Sequence, residues 1–131
     1  MSAKPTIEAF TPYEIGPKPW GTELVIAETD KYLVKLLTMK AGHRGGLQFH
    51  VTKKESFYLQ KGVAQVLYET EDGNLDEKIM TAGQCFHIPP GAVHQVIAYT
   101  DCVFIEGSTP VFGDRVNVSA RHALYSQGEA L

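Results

Sequence analysis

Glycine and proline divide this chain into short segments along its whole length. The 12 glycines and seven prolines are scattered rather than clustered, and between them branched and aromatic residues alternate with polar ones. This alternation is typical of a strand with one buried side, and no stretch keeps apolar positions at helical spacing. The pattern therefore predicts an all-β protein. Its strands are expected at residues 22–27, 32–39, 47–51, 55–60, 64–70, 78–81, 85–88, 94–99 and 103–107, with a helical turn or a tail at 119–131.

The number and shortness of these strands restrict the architecture. A chain of 131 residues supports one hydrophobic core, and its 44% hydrophobic and 21% charged residues are typical of a globular protein. Many short strands around one core close most easily into a sandwich or barrel, because closure leaves few exposed strand edges. We predict an N-terminal arm at 1–18, a barrel at 19–112 and a C-terminal extension at 113–131.

Charge and hydropathy exclude two classes of partner. With 12 Lys and Arg against 15 Asp and Glu, the net charge is −3, which offers no excess positive charge for nucleic acid or an anionic membrane. The longest apolar runs have four residues, whereas a membrane-spanning helix needs about 20. The first ten residues lack the apolar block of a secretion signal. We therefore expect a cytoplasmic protein, with Cys85 and Cys102 as buried free thiols.

Gln48, His50, Glu55 and His94 form a candidate metal site. Residues two apart on a strand share a face, so Gln48 and His50 point the same way, and Glu55 can return to that face on the next strand. His94 lies on a later strand. Two imidazoles and a carboxylate suit Zn, Fe, Mn, Co or Ni, while Gln48 would add a weaker neutral oxygen. Because a strand histidine is more often hydrogen-bonded or exposed than metal-bound, the spacing alone leaves both interpretations open.

The glycines and prolines around these four residues follow a recognisable order. The first segment reads Gly42, five residues, Gln48-Phe49-His50, four residues, Glu55, six residues and Gly62. The second reads Gly83, five residues, Pro89-Pro90-Gly91, two residues and His94. Over residues 19–110 this order resembles the two motifs of the cupin superfamily, with Gln48 in place of the first histidine and Ala98 in place of the last asparagine. The resemblance implies a small jelly-roll barrel, the double-stranded β-helix, with one divalent metal ion held in its mouth by His50, Glu55 and His94.

The glutamine at position 48 narrows the resemblance. The segment from Gln48 through His50 to Glu55 is similar to the first motif of the type II mannose-6-phosphate isomerase cupins. Further segments of that family are matched here by Pro19-Trp20-Gly21, Val34-Lys35 and Ile105-Glu106. The resemblance implies an isomerase or epimerase-like enzyme acting on a small carbohydrate or its phosphate. Its metal would bind adjacent hydroxyl and carbonyl oxygens, while Glu106 or Lys35 moves the proton. The family's C-terminal Asp-Val-Val-Arg reads Asp114-Arg115-Val116-Asn117 here, so its arginine is absent or shifted to Arg115.

Lys35 and Glu106 alternate in phase with apolar neighbours. Lys35 is in phase with Leu33 and Leu37, and Glu106 is in phase with Phe104. If these faces line the barrel, the amine needs an anionic partner or substrate, and burial raises the pKa of the carboxyl toward that of a useful base. If the strands face the other way, both side chains are solvated.

Five further basic or aromatic residues lie outside the candidate metal ligands. Lys53 and Lys54 lie in a loop at the rim of the site, where they either bind a phosphate or are solvated. A charged loop is usually solvated, so solvation is expected, and neither lysine is assigned a catalytic role. His87 has the opposite phase to its apolar neighbours and is expected to face away from the core. Trp20 and Phe112 either close a substrate pocket or pack in the core or an interface.

Two other functions are compatible with the same residues. Two histidines and a carboxylate are also the ligand set of an Fe(II)-dependent cupin dioxygenase, which keeps positions free for oxygen and substrate. A non-catalytic cupin that binds a small acid or sugar is the third hypothesis. A homodimer is expected, because the N-terminal segment with Phe10, Tyr13 and Trp20 is too apolar to remain exposed.

Overall fold

The part of the chain that the structure describes is built from β-strands. The computed structural model describes residues 4–118, so the predicted turn or tail at 119–131 lies outside the described residues. Residues 4–118 contain no helix that could cross a membrane. The strands are β1 (Tyr13–Lys18), β2 (Gly21–Glu28), β3 (Leu33–Met39), β4 (Gln48–His50), β5 (Glu55–Lys61), β6 (Val63–Glu69), β7 (Leu75–Thr81), β8 (Cys85–Ile88), β9 (His94–Ala98), β10 (Cys102–Ser108) and β11 (Arg115–Asn117).

These strands form two antiparallel sheets. The six-stranded sheet has the order β1-β2-β3-β10-β5-β8, and the five-stranded sheet has the order β11-β4-β9-β6-β7. Neighbours such as β3 and β10 are far apart in sequence, so the chain crosses repeatedly from one sheet to the other. The all-β prediction is confirmed, and the two-sheet arrangement is that of a jelly roll.

One hydrophobic cluster joins the inward faces of the two sheets. Its aromatic centre is an edge-to-face pair of Phe57 and Phe104, with ring centroids 5.8 Å apart. From the six-stranded sheet come Met39, Phe57, Leu59, Cys102 and Phe104, and from the five-stranded sheet Ala64, Val66, Met80 and Ala98. These residues occupy the apolar positions of strands in which apolar and polar residues alternate. The alternation in the sequence therefore indicates which side chains form the core.

The first and last strands were not predicted. Gly16 and Pro17 interrupt the alternation in β1, and its pairing with β2 shifts register between Ile15 and Lys18. The three residues of β11 are all exposed, so they carry no hydrophobic signal. Both are edge strands, where pairing on one side suffices and Gly or Pro is tolerated. The division at 1–18, 19–112 and 113–131 stays a prediction, although β1 and β11 pair with the sheets from outside the middle segment.

The two cysteines have different surroundings. Both thiols are free, and Cys102 is buried as predicted, but the prediction that Cys85 is buried was wrong. Cys85 lies on edge strand β8, opposite the exposed Tyr58. Its phase places it on the outer side of the sheet, which sequence alternation alone does not distinguish from the inner side. His87, two residues further on, is exposed as predicted and hydrogen-bonds with Ser56 Oγ.

Gly21 explains part of the Pro-Trp-Gly segment. Its backbone lies so close to β3 that a Cβ atom would collide with the carbonyl oxygen of Thr38. The absence of a side chain therefore lets β2 start directly against β3. Trp20 is held next to this contact and packs against the core cluster.

Candidate functional site

A cavity of about 340 Å³ lies between the sheets and is lined by most of the polar residues singled out above. The structure brings together in it all six side chains predicted to bind metal or catalyse: Lys35, Gln48, His50, Glu55, His94 and Glu106. Trp20 and Phe112 also line the cavity, as does Arg115. The six residues therefore share one space, and their roles as ligands or catalysts stay predictions.

The two sheets contribute different parts of this site. Gln48 and His50 lie on β4, where Gln48 is directly opposite His94 of β9. Glu55 is the first residue of β5, on the facing sheet. The imidazoles and the carboxylate therefore approach one another from opposite walls.

Glu55 lies between the two histidines. Its Oε1 atom is 3.4 Å from His94 Nε2, and its Oε2 atom is 3.8 Å from His50 Nε2. The two imidazole rings have centroids 6.3 Å apart. Burial by itself would raise the pKa of Glu55, but the contact with His94 and the charge of Lys53 hold it well below its ordinary value. The carboxylate is therefore anionic at neutral pH.

The Nδ1 nitrogen of each histidine, which is not the nitrogen that faces Glu55, has its own hydrogen-bond partner. His94 Nδ1 is 2.9 Å from the carbonyl oxygen of Ala92, so it must donate a proton there. His50 Nδ1 is 2.9 Å from Asp114 Oδ1. When the rings are neutral, both Nε2 atoms are thus unprotonated and face Glu55. Unprotonated nitrogens and carboxylate oxygens are all acceptors, so this arrangement requires a proton or a cation between them.

Asp114 is a site residue that sequence reasoning did not identify. Its Oδ2 atom accepts hydrogen bonds from the backbone amides of Thr52 (2.8 Å) and Lys53 (2.9 Å). Desolvation alone would raise its pKa, but these amides and His50 hold that pKa well below its usual range. The carboxylate therefore stays charged and orients His50. Asp114 opens the segment that was matched to the family's C-terminal motif, but that match assigned it no role, because its partner His50 lies 64 residues away along the chain.

The donor atoms fit a divalent metal in type. Among the described residues, Gln48 Oε1 and Glu55 Oε2 are buried without a hydrogen-bond partner. Together with two imidazole nitrogens they form a mixed nitrogen and oxygen set that suits Zn, Fe, Mn, Co or Ni. As placed in the structure, no three or more His, Cys, Asp or Glu side chains of residues 4–118 form a group that could hold a metal ion. The residues therefore form an ion-paired cluster whose donor types match those of a metal site, and their role as ligands stays a prediction.

Lys53 is the main correction to the sequence analysis. It was predicted to be solvated, yet only 5% of it is exposed, and its Nζ atom lies 3.1 Å from Glu55 Oε2 and 3.0 Å from Glu106 Oε2. Burial by itself would lower its pKa, but the charges of Glu106 and Glu55 raise it. Lys53 lies in the loop between β4 and β5, where strand alternation does not apply, so no local sequence signal marked it. Lys54 is exposed, as predicted.

Lys35 and Glu106 both face the interior, on directly paired positions of β3 and β10. Lys35 is buried, and its Nζ atom lies 2.6 Å from Glu23 Oε1 and 5.3 Å from the ring centre of Phe112. Burial and the charge of Glu55 raise the pKa of Glu106, although Lys53 and Lys35 oppose this. Glu23 was missed, although it alternates in phase with the buried Val25.

The chain is similar to known proteins along most of its length. Residues 9–106 match the family described as Mannose-6-phosphate isomerase C-terminal. Over 77 residues the chain is 34% identical to the mannose-1-phosphate guanylyltransferase of Escherichia coli (strain K12), which covers 59% of this chain and 15% of that protein. The chain thus spans about 15% of the length of the curated relatives it matches.

Solved structures share the fold at low sequence identity. The capsular polysaccharide assembling protein CapF of Staphylococcus aureus superposes with a TM-score of 0.71 at 20% identity, over 82% of this chain and 32% of that one. Bacillus subtilis oxalate decarboxylase, described with Mn(II) centres, gives 0.65 at 20% identity, over 79% and 30%. These likenesses agree with the cupin fold predicted from the two motifs. Because the family match covers most of the chain, this protein belongs to the mannose-6-phosphate isomerase C-terminal family of cupin domains.

Proposed function

We propose that this domain binds one divalent metal ion and isomerises or epimerises a sugar phosphate. The main observation in support is that two imidazole Nε2 atoms converge on Glu55 inside a cavity that also contains the Glu106 carboxylate. His50, Glu55 and His94 would hold the metal, with Gln48 as a fourth, weaker ligand. When bound, the metal would supply Lewis-acid polarisation of substrate oxygens. The family match and a relative named for mannose 1-phosphate support a phosphorylated sugar as substrate.

Glu106 is the proposed base. Burial raises the pKa of its carboxyl, which brings it closer to the range where a base works at neutral pH. Its Oε2 atom accepts a hydrogen bond from Lys53, which fixes the direction of the carboxylate in the cavity. It would carry a proton between neighbouring substrate carbons, with Lys35 as the alternative carrier. Lys35 and Arg115 add positive charge for the phosphate group, while Trp20 and Phe112 restrict water.

Metal content and proton exchange test this proposal together. The protein, purified without added metal, should contain about one divalent ion per chain by elemental analysis. In D₂O with mannose 6-phosphate it should place deuterium on the carbon next to the carbonyl, and chelation should stop the exchange. Iron together with substrate-dependent oxygen uptake would contradict the isomerase and support the dioxygenase. Bound metal without exchange on any sugar phosphate would favour a binding protein.

Gln48→His should tighten metal binding by about tenfold or more, because imidazole is a stronger ligand for late divalent ions than an amide oxygen. The position is suitable, since Gln48 lines the cavity and its Oε1 atom has no hydrogen-bond partner among the described residues. Turnover should fall, because a firm fourth ligand occupies a position that substrate oxygens need. Competition with a chelator measures the affinity. Gln60→His, on an exposed position of β5, is the control, and an unchanged affinity in Gln48→His would remove Gln48 from the metal site.

Asp114→Asn should weaken metal binding about 10- to 100-fold, the range typical of groups that orient metal ligands. The amides of Thr52 and Lys53 need an acceptor, so the asparagine oxygen must face them. Its NH₂ group then faces His50 Nδ1, which must accept, and the ring proton moves to Nε2, where the metal should bind.

Nitrogen chemical shifts of His50 report this tautomer directly, and chelator competition reports the affinity. Asp76→Asn, at an exposed position of β7, should change neither. A His50 tautomer that stays protonated on Nδ1 in Asp114→Asn would show that Asp114 does not determine it.

A further inference from the structure

Lys53 occupies a central position among the acidic groups of the cavity. Its Nζ atom lies within 3.1 Å of carboxylate oxygens from both Glu55 and Glu106, and only 5% of the residue is exposed. A buried ammonium stays charged only where anionic partners compensate its lost hydration. Lys53 therefore neutralises the same carboxylate that converges with the two histidines.

The two contacts of Lys53 differ in kind. The ammonium donates a hydrogen bond to Glu106 Oε2 at 3.0 Å. Its 3.1 Å contact with Glu55 Oε2 is an ion pair without hydrogen-bond alignment, and that oxygen is buried with no hydrogen-bond partner among the described residues. Glu55 is thus the partner that Lys53 can release with the smaller loss of directional bonding.

We propose that Lys53 is an internal competitor of the metal ion for Glu55. This inference rests on the metal site proposed above. In the metal-free protein the ammonium neutralises Glu55, and metal binding displaces it to Glu106 alone. Two cations on one buried carboxylate repel strongly, so they cannot share Glu55 at low cost. The cluster is thereby stable without metal, and the affinity for metal is lower than its donor atoms alone would provide.

Lys53→Met tests the competition in the full chain. Zn²⁺ affinity, measured by chelator competition on metal-stripped protein, should rise about tenfold or more, since a positive charge beside the ion is removed. Lys54→Met changes the adjacent but exposed lysine and should stay within about twofold of the wild type, as expected for a solvated charge. An unchanged or lower Zn²⁺ affinity in Lys53→Met would overturn the proposal.

A double-mutant cycle separates competition from a general electrostatic effect. Of the two carboxylates that contact Lys53, Glu106→Gln leaves only Glu55. Lys53 should then compete more strongly for Glu55, and Zn²⁺ binding should weaken about tenfold in the wild-type background. In the Lys53→Met background the same change should have little effect, because no competitor remains. If Glu106→Gln weakens Zn²⁺ binding by the same factor in both backgrounds, Glu106 acts only through its charge, and the proposal is overturned.

Two further outcomes keep this inference distinct from the proposed function. Wild-type protein that binds no Zn²⁺, Mn²⁺ or Fe²⁺ contradicts the metal site itself, and with it the competitor. Metal binding in the wild type with no response to Lys53→Met overturns the competitor alone. If Lys53→Met does not fold, the Lys53 ammonium resonance of the wild type decides: it should shift on Zn²⁺ addition, and an unchanged resonance at saturation would overturn the proposal.

Discussion

Replacing both His50 and His94 with alanine should abolish metal binding while leaving a folded β-protein. Structural metal sites have binding free energies of about 10–16 kcal/mol, so losing two of the three stronger ligands should lower the affinity by about 10⁴-fold or more. Neither histidine belongs to the hydrophobic cluster that joins the sheets. The core therefore does not depend on them.

Elemental analysis after gel filtration measures the bound metal, and far-ultraviolet circular dichroism measures the β-structure. His87→Ala, at an exposed histidine outside the site, is the matched control and should keep its metal. Stoichiometric metal in the double variant would place the site elsewhere. Loss of β-structure would instead show that these side chains also hold the sheets together.

Glu106→Gln should reduce turnover at saturating metal by about 10²–10⁴-fold, the usual contribution of a positioned acid or base. The amide keeps the size of the side chain and can still accept a hydrogen bond from Lys53, so the loss isolates proton transfer. Substrate binding should change much less than turnover. Exchange of the substrate carbon proton into D₂O should fall by the same factor as turnover.

Lys35→Met provides the contrasting variant. It removes the nearer of two lysine partners of Glu23 and a positive charge from the cavity, so it should raise the KM for a sugar phosphate more than it lowers turnover. Glu71→Gln, in an exposed turn, should affect neither quantity. If Lys35→Met stops exchange and Glu106→Gln does not, the lysine moves the proton and the assignment of Glu106 is wrong.

Local pattern in the sequence determined the strands and the family. Alternation located nine of the strands, because it records which side chains a strand buries. The parity of Gln48 and His50 placed two polar groups on one face. The order of glycines and prolines around them resembles the cupin motifs, and the family match confirms that resemblance. The homodimer and the cytoplasmic location stay predictions.

Contacts between segments that are far apart in the sequence were decided by the tertiary structure alone. Lys53 was predicted to lie in a solvated loop, but Glu106, 53 residues away, holds it in a buried ion pair. Asp114 reaches His50 only because β11 pairs with β4. Cys85 was assigned to the wrong side of its strand for the same reason. A strand's sequence shows that its two faces differ, whereas the pairing of distant strands decides which face is inside and which charges meet there.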